Sequence, residues 1–254
     1  MAINVERLGE TPEGKQVDLY TLTNENGVSA SFTNLGGTWV SMMVPDKTGQ
    51  MADVLLGYDT AENLMKNPPH FGAIIGRNAN RIANAEFTLN GRRYLLAANN
   101  GPNNLHSGPN LYHTRIWEVE LEESGSGSRI SFSLFSPNMD QGYPGNAHIT
   151  VSYTLMPDNG VDIFYHMVCD EDTVANFNLR GQNSGSILDH QVWIDADYFT
   201  PADKTSIPLG ELVSVKGTPM DFTEMKPVGR DIDADYDQLK MAGGYDHNWV
   251  LNHK

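Results

Sequence analysis

Short runs of alternating apolar residues, separated by turn residues, recur along most of this chain, and that spacing leaves few folds open. Val17, Leu19 and Thr21 alternate, Asn24-Glu25-Asn26-Gly27 turns, and Val28, Ala30 and Phe32 alternate again. After Gly36-Gly37, the residues Val40, Met42 and Val44 lead through Asp46-Lys47-Thr48-Gly49 to Val54-Leu55-Leu56. Residues 116–121 and 130–134 pair around a Ser/Gly loop at 124–128, and Ile149, Val151, Tyr153 and Leu155 turn at Pro157-Asp158-Asn159-Gly160 into 161–167. Alternation with period two places one face of a strand on a core and the other in solvent. Only 60–65 has moderate helical character in the first half. Short strands punctuated by 24 glycines point to an all-β sandwich or barrel. No composition break marks a boundary, so residues 1–254 are expected to form a single domain.

The densest functional signal lies between Phe71 and Gly108. Phe87-Thr88-Leu89, Asn90-Gly91 and Tyr94-Leu95-Leu96 read as a hairpin, because Asn-Gly tolerates positive φ at both central turn positions. Gly76-Arg77-Asn78-Ala79-Asn80-Arg81 precedes it and Asn99-Asn100-Gly101-Pro102-Asn103-Asn104-Leu105-His106-Ser107-Gly108 follows it. A folding argument does not require either polar cluster. A returning hairpin brings Arg81 and His106 toward one end of one sheet, giving a cation, amides and an imidazole that suit a ligand covered in hydroxyls.

Composition excludes several partners. A net charge of −15 argues against nucleic acid and anionic membranes, which need clustered Lys and Arg. No apolar run is long enough to span a bilayer. The start, Met-Ala-Ile-Asn-Val-Glu-Arg, lacks a secretory pattern, and the single cysteine, Cys169, continues a strand as a small buried hydrophobe; a soluble cytoplasmic protein is expected. His106, His113, His166, His190, His247 and His253 show no zinc spacing. There is no Gly-x-Ser-x-Gly elbow and no phosphate loop. Polar recognition remains, with His106, Asp189, Asp246 and His247 as candidates for acid–base work.

Four ordered motifs resemble the aldose 1-epimerase (galactose mutarotase) family: Gly76-Arg77-Asn78-Ala79-Asn80-Arg81-Ile82, Asn103-Asn104-Leu105-His106-Ser107-Gly108, Asp140-Gln141-Gly142-Tyr143-Pro144-Gly145-Asn146 and Gly243-Gly244-Tyr245-Asp246-His247-Asn248. Gly185-Ser186-Ile187-Leu188-Asp189-His190, Asp195-Ala196-Asp197 and Thr200-Pro201 are similar too. The resemblance covers essentially the whole chain. It implies a large antiparallel β-sandwich with a sugar cleft, no metal or organic cofactor, and interconversion of the α and β anomers of a hexose such as galactose or glucose. It further implies that Asn80 and Arg81 hydrogen-bond sugar hydroxyls, that His106 holds the sugar near its ring oxygen, and that Asp246 binds its hydroxyls. His106 is also a candidate catalytic acid.

The sequence departs from the family pattern twice. The family's Thr-Asn-His-Ser-Tyr-Phe-like segment carries its general acid, whereas Val174-Ala175-Asn176-Phe177 runs directly into Asn178-Leu179-Arg180-Gly181 here. The family's general-base glutamate lies on strands beyond the Gly-Tyr-Asp-His-Asn motif, and the sequence ends at Lys254. Three expectations stay open: an epimerase whose fuller chain supplies both groups, a sugar-binding relative without turnover, and an enzyme with substitute groups such as His106 with Asp246 or His247. An apolar end at Trp249-Val250-Leu251 is expected to leave an unpaired edge that favours self-association.

Overall fold

The computed structural model describes residues 2–124, 127–175 and 191–252. The chain divides into two compact units, residues 1–184 and 185–254. In the first unit, β1 (Ala2–Glu10), β2 (Gln16–Thr23), β3 (Ser29–Thr33), β4 (Thr38–Pro45) and β5 (Met51–Asp53) form an antiparallel sheet in chain order. Helix α1 (Ala61–Lys66) follows, capped by the Thr60 hydroxyl, which accepts from the Asn63 N–H at 3.3 Å. Four short strands come next: β6 (Arg81–Ile82), β7 (Glu86–Leu89), β8 (Arg92–Leu95) and β9 (Asn104–Leu105). The second large sheet is β10 (Glu118–Ser124), β11 (Gly127–Ser136), β12 (Ala147–Leu155) and β13 (Val161–Cys169), again antiparallel in chain order.

The two large sheets bury their inner faces in one cluster. Tyr20, Leu22, Ala30, Phe32 and Met42 meet Ile130, Phe132, Ile149, Val151 and Tyr153. The Phe32 ring lies 4.7 Å from that of Tyr153 and 6.4 Å from that of Phe132. Each buried Leu, Ile, Val, Phe or Met side chain among them contributes about 1.5–3 kcal/mol by leaving water. This is the expected all-β sandwich. The turns at 24–27 and 157–160 are tied to each other, since the Asn24 amide donates to the Met156 carbonyl at 3.1 Å and the Asn26 amide to the Pro157 carbonyl at 2.8 Å. Cys169 is a half-buried free thiol packed against the same cluster.

In β2 the face that meets the sandwich core is not the one that carries Val17, Leu19 and Thr21. Val17, Tyr20 and Leu22 are buried, rather than Val17, Leu19 and Thr21. Val17, an odd number of residues from Tyr20 and Leu22, lies on the other face of β2 and joins Leu35, Ala61 and Leu64 in a separate cluster, whereas Tyr20 and Leu22 face the sandwich.

The second unit contains β14 (Gln191–Val192), β15 (Tyr198–Thr200), β16 (Val213–Ser214), β17 (Lys226–Pro227), helix α2 (Asp237–Ala242) and β18 (Asn248–Val250). Its core gathers Phe199, Val215, Met220 and Leu239, with Trp249 packed against them. The expected hairpin across 207–215 does not form. The Asp203 carboxylate instead accepts from the Thr205 and Ile207 N–H groups, closing a local turn, and β16 pairs with β15. The last strand is also not unpartnered: Phe199 pairs with Trp249 and Tyr198 with Val250. Of the strand expected at 186–194, residues 186–190 lie outside the described residues. Among the described residues no helix is long and apolar enough to cross a membrane.

Candidate functional site

The Asn90-Gly91 hairpin forms as expected. Asn90 and Gly91 have φ of 51° and 75°, so a tight turn joins β7 to β8. Its flanks then pair as β6 and β9, with Arg81 opposite Leu105 and Ile82 opposite Asn104. That register delivers Asn80, Arg81 and His106 to one place. The His106 N–H donates to the Asn80 carbonyl, and the Asn80 N–H donates to His106 Nδ1, both at 3.0 Å. Both residues are left-handed, at φ of 65° and 58°, a conformation that costs a non-glycine residue about 1 kcal/mol or more. The reciprocal bonds hold it. Because Nδ1 accepts, neutral His106 carries its proton on Nε2 and presents a donor there.

Arg81 is half-buried, and among the described residues its partners are amide oxygens rather than carboxylates. Nε donates to Asn100 Oδ1 at 3.1 Å and a terminal nitrogen donates to Asn80 Oδ1 at 3.3 Å. Neutral partners orient the guanidinium without cancelling its charge, so it remains available to electron-rich oxygens.

Most of the polar residues around this centre are scaffold, which corrects the expectation that folding does not require them. Arg77 is fully buried and donates to the carbonyls of Ser136, Pro144 and Gly145 and to the hydroxyls of Ser136 and Thr173 at 2.7–3.1 Å. Asp140 accepts from Ser136 Oγ at 2.7 Å and forms a two-point ion pair with Arg115. The Ser107 hydroxyl donates to the Asn78 carbonyl at 2.9 Å and accepts the Asn78 N–H at 3.0 Å. Asn104 donates to the carbonyls of Ala97 and Ser107, and the Gln141 side chain bridges the Gly76 carbonyl to the Gly108 N–H. Irregular loops leave backbone groups without ladder partners, and these amides supply them.

Two histidines outside the sequence motifs join the centre. The His70 ring lies 5.3 Å from that of His106 and 4.6 Å from that of His113. His113 sits in a buried turn, and its Nδ1 has no hydrogen-bond partner among the described residues. Burial first, then the neighbouring His70 and His106, push its pKa down to about 4. Among the described residues no group of three or more His, Cys, Asp or Glu side chains is placed to hold a metal ion.

Asp246 and His247 lie in the second unit, at the entry to β18. Asp246 is exposed, and its N–H donates to His247 Nδ1 at 3.2 Å. His247 is buried edge-on against Phe199, 5.8 Å between rings. A cleft of about 900 Å³ in the same unit is lined by Asp221, Thr223, Arg230 and Asp231 among others. Two of its carboxylates already have partners: Asp221 binds the Thr223 hydroxyl and Asp231 binds Lys226 and Arg230. Those hydrogen bonds and cations hold both below the usual carboxylate range. The cleft is therefore a weaker candidate than the Asn80–Arg81–His106 centre.

The family model described as aldose 1-epimerase matches residues 18–254. The chain belongs to the aldose 1-epimerase family. The aldose 1-epimerase of Haemophilus influenzae is 39% identical over 249 residues, covering 95% of this chain and 71% of that protein. The galactose mutarotase of Bos taurus is 37% identical over 251 residues, covering 96% of this chain and 70% of that one. Among solved structures, a galactose 1-epimerase from Lactobacillus acidophilus superposes with a TM-score of 0.87 at 26% identity, covering all of this chain and 75% of its own. An aldose epimerase homologue from C. elegans gives 0.76 at 33% identity, covering 92% and 71%.

Within this aldose 1-epimerase family chain, the structure brings Asn80, Arg81 and His106 together and places Asp246 in the second unit. Asn176, Phe177, Asp189 and His190 lie outside the described residues. His70 and His113 had no spacing signal. The 70–76 segment is tied to the 36–39 stretch, Trp39 N–H to the Gly72 carbonyl at 2.9 Å and Ile74 N–H to the Gly36 carbonyl at 3.1 Å, and the Gly36 N–H donates to the Arg115 carbonyl, close to His113 in the chain, at 2.8 Å.

Proposed function

We propose that this chain, as one mutarotase-like domain, binds a hexose such as galactose or glucose and interconverts its α and β anomers. The observation that carries it is the reciprocal Asn80–His106 bonding beside a cation, Arg81, without a carboxylate partner among the described residues, in a chain of this family. Anomer exchange needs the proton of the anomeric hydroxyl removed while the C1–O5 bond breaks and the ring oxygen gains a proton. The aldehyde then rotates about C1–C2 and recloses on the other face. His106 would polarise the ring oxygen through Nε2–H, Arg81 and Asn80 would bind hydroxyls, and Asp246 would accept from hydroxyls. One half-buried cysteine has no internal disulfide to form, which suits the cytoplasm, where we place the protein.

The same hydrogen bond favours a second function, hexose binding without turnover. If neutral His106 gave up the Nε2 proton while Nδ1 accepts from Asn80, an imidazolate would remain. His106 is therefore suited to donate a hydrogen bond more than to complete a proton transfer.

Polarimetry of freshly dissolved α-D-galactose and α-D-glucose separates the two. Turnover predicts a rate well above buffer that His106→Ala lowers by roughly 10²-fold or more. Binding alone predicts the buffer rate together with saturable galactose binding that His106→Ala weakens. A folded protein that neither binds galactose nor speeds mutarotation overturns both.

A further inference from the structure

His70 lies beside His106 and faces the titratable rings of His106 and His113. Its backbone is left-handed, with φ of 62°. A buried asparagine builds the loop that holds it there. The Asn67 amide donates to the Phe71 carbonyl at 3.0 Å, its oxygen accepts the Phe71 N–H at 2.8 Å, and its carbonyl accepts the His70 N–H at 2.9 Å. The ring itself is also oriented. His70 Nδ1 lies 2.8 Å from the Pro68 carbonyl, which can only accept, so Nδ1 carries the proton. Neutral His70 therefore has its lone pair on Nε2. His106 has the opposite arrangement, with Nδ1 accepting from Asn80 and the proton on Nε2.

The two neighbouring imidazoles thus offer an acceptor and a donor, with ring centroids 5.3 Å apart. A sugar hydroxyl both donates and accepts, so neighbouring oxygens of a polyol are best held by such a mixed pair. His113 backs His70 as a buried ring, and its depressed pKa keeps it uncharged at neutral pH. Strain held by a dedicated hydrogen-bond network is a recurrent mark of a binding position. Building on the hexose-binding function proposed above, we propose that His70 is a further hexose-contacting residue, accepting a hydrogen bond from a sugar hydroxyl at Nε2 beside the His106 donor.

The test uses the 254-residue chain labelled with ¹⁵N in its histidine rings. Without sugar, His70 should show one protonated nitrogen, Nδ1, and one unprotonated nitrogen, Nε2. Adding galactose should shift the Nε2 resonance toward the hydrogen-bonded value. His70→Phe, which keeps a ring and loses the acceptor, should weaken galactose binding by about 2- to 10-fold, the worth of one neutral hydrogen bond. His70→Gln, whose side-chain oxygen falls near Nε2, should recover most of that affinity. If the wild-type chain binds galactose while His70 Nε2 stays unmoved and His70→Phe binds equally well, the proposal fails and the function stands. If the wild-type chain binds no hexose, the function fails and His70 falls with it. The resonance measurement needs no variant, so a misfolded substitution leaves it decisive.

Discussion

Lowering the pH should destabilise this protein through His113 by an amount that can be isolated. The side chain is 4% exposed and its Nδ1 finds no partner among the described residues. Charging it would place a cation among buried groups and against His70 and His106, so its pKa falls to about 4. In the unfolded chain the ordinary value of 6.5 applies. Above 6.5 the group is neutral in both states and stability is undiminished. Between 6.5 and 4 the unfolded chain takes up a proton that the folded chain refuses, and stability falls. Below 4 both states are protonated and no more is lost. The gap between the two values is worth about 3 kcal/mol, taking about 1.4 kcal/mol per pH unit. The assay is urea denaturation at pH 7, 5.5 and 4 for the wild type and for His113→Asn. The variant does not titrate, and the many carboxylates contribute alike to both proteins. Its disadvantage relative to wild type should shrink, or reverse, by about 3 kcal/mol between pH 7 and pH 4. A difference that stays flat with pH would refute the assignment, as would an NMR titration placing His113 near 6.5.

Other substitutions test the scaffold beneath the candidate site. Arg77→Met should cost on the order of 4 kcal/mol in chemical denaturation, because buried carbonyls and hydroxyls lose a charged donor that no solvent replaces. Gly36→Ala should cost at least ~2 kcal/mol. Gly36 has φ of 72° and an added Cβ would lie 2.5 Å from the His113 carbonyl oxygen, a backbone atom that must move. The His113 ring resonances should shift in the same variant. Gly91→Ala should cost about 1 kcal/mol and leave the His106 resonances in place, since it strains only the hairpin turn.

Much of the architecture is legible locally. Val28, Ala30 and Phe32, and again Ile149, Val151, Tyr153 and Leu155, are buried as their alternation requires. Asn90-Gly91 makes its turn and Thr60 caps its helix, because those preferences act over a few residues. Where the alternation misleads, a packing partner or a capturing side chain intervenes. Packing against the second sheet makes Tyr20 and Leu22 the core face of β2, and Asp203 captures the backbone where a hairpin was expected. The apolar end at Trp249 finds β15, which lies about fifty residues earlier in the chain.

For the candidate site, the motifs are legible in the chain: Asn80, Arg81 and His106 on either side of a hairpin, in an order specific enough to indicate a family. Residue type and spacing carry that much because a hairpin's register follows from its turn. Which polar residues are used up depends on the folded loops. Arg77, Asn78, Asn104 and Ser107 look as functional as Arg81 in sequence, yet they are buried among the loop carbonyls and N–H groups they satisfy. Tertiary structure also set His106's proton on Nε2 through a backbone N–H, and it brought His70 and His113 beside it. Hydrogen-bond sense and ring contact depend on which backbone groups remain unpaired after the sheets have formed, and no local spacing encodes that.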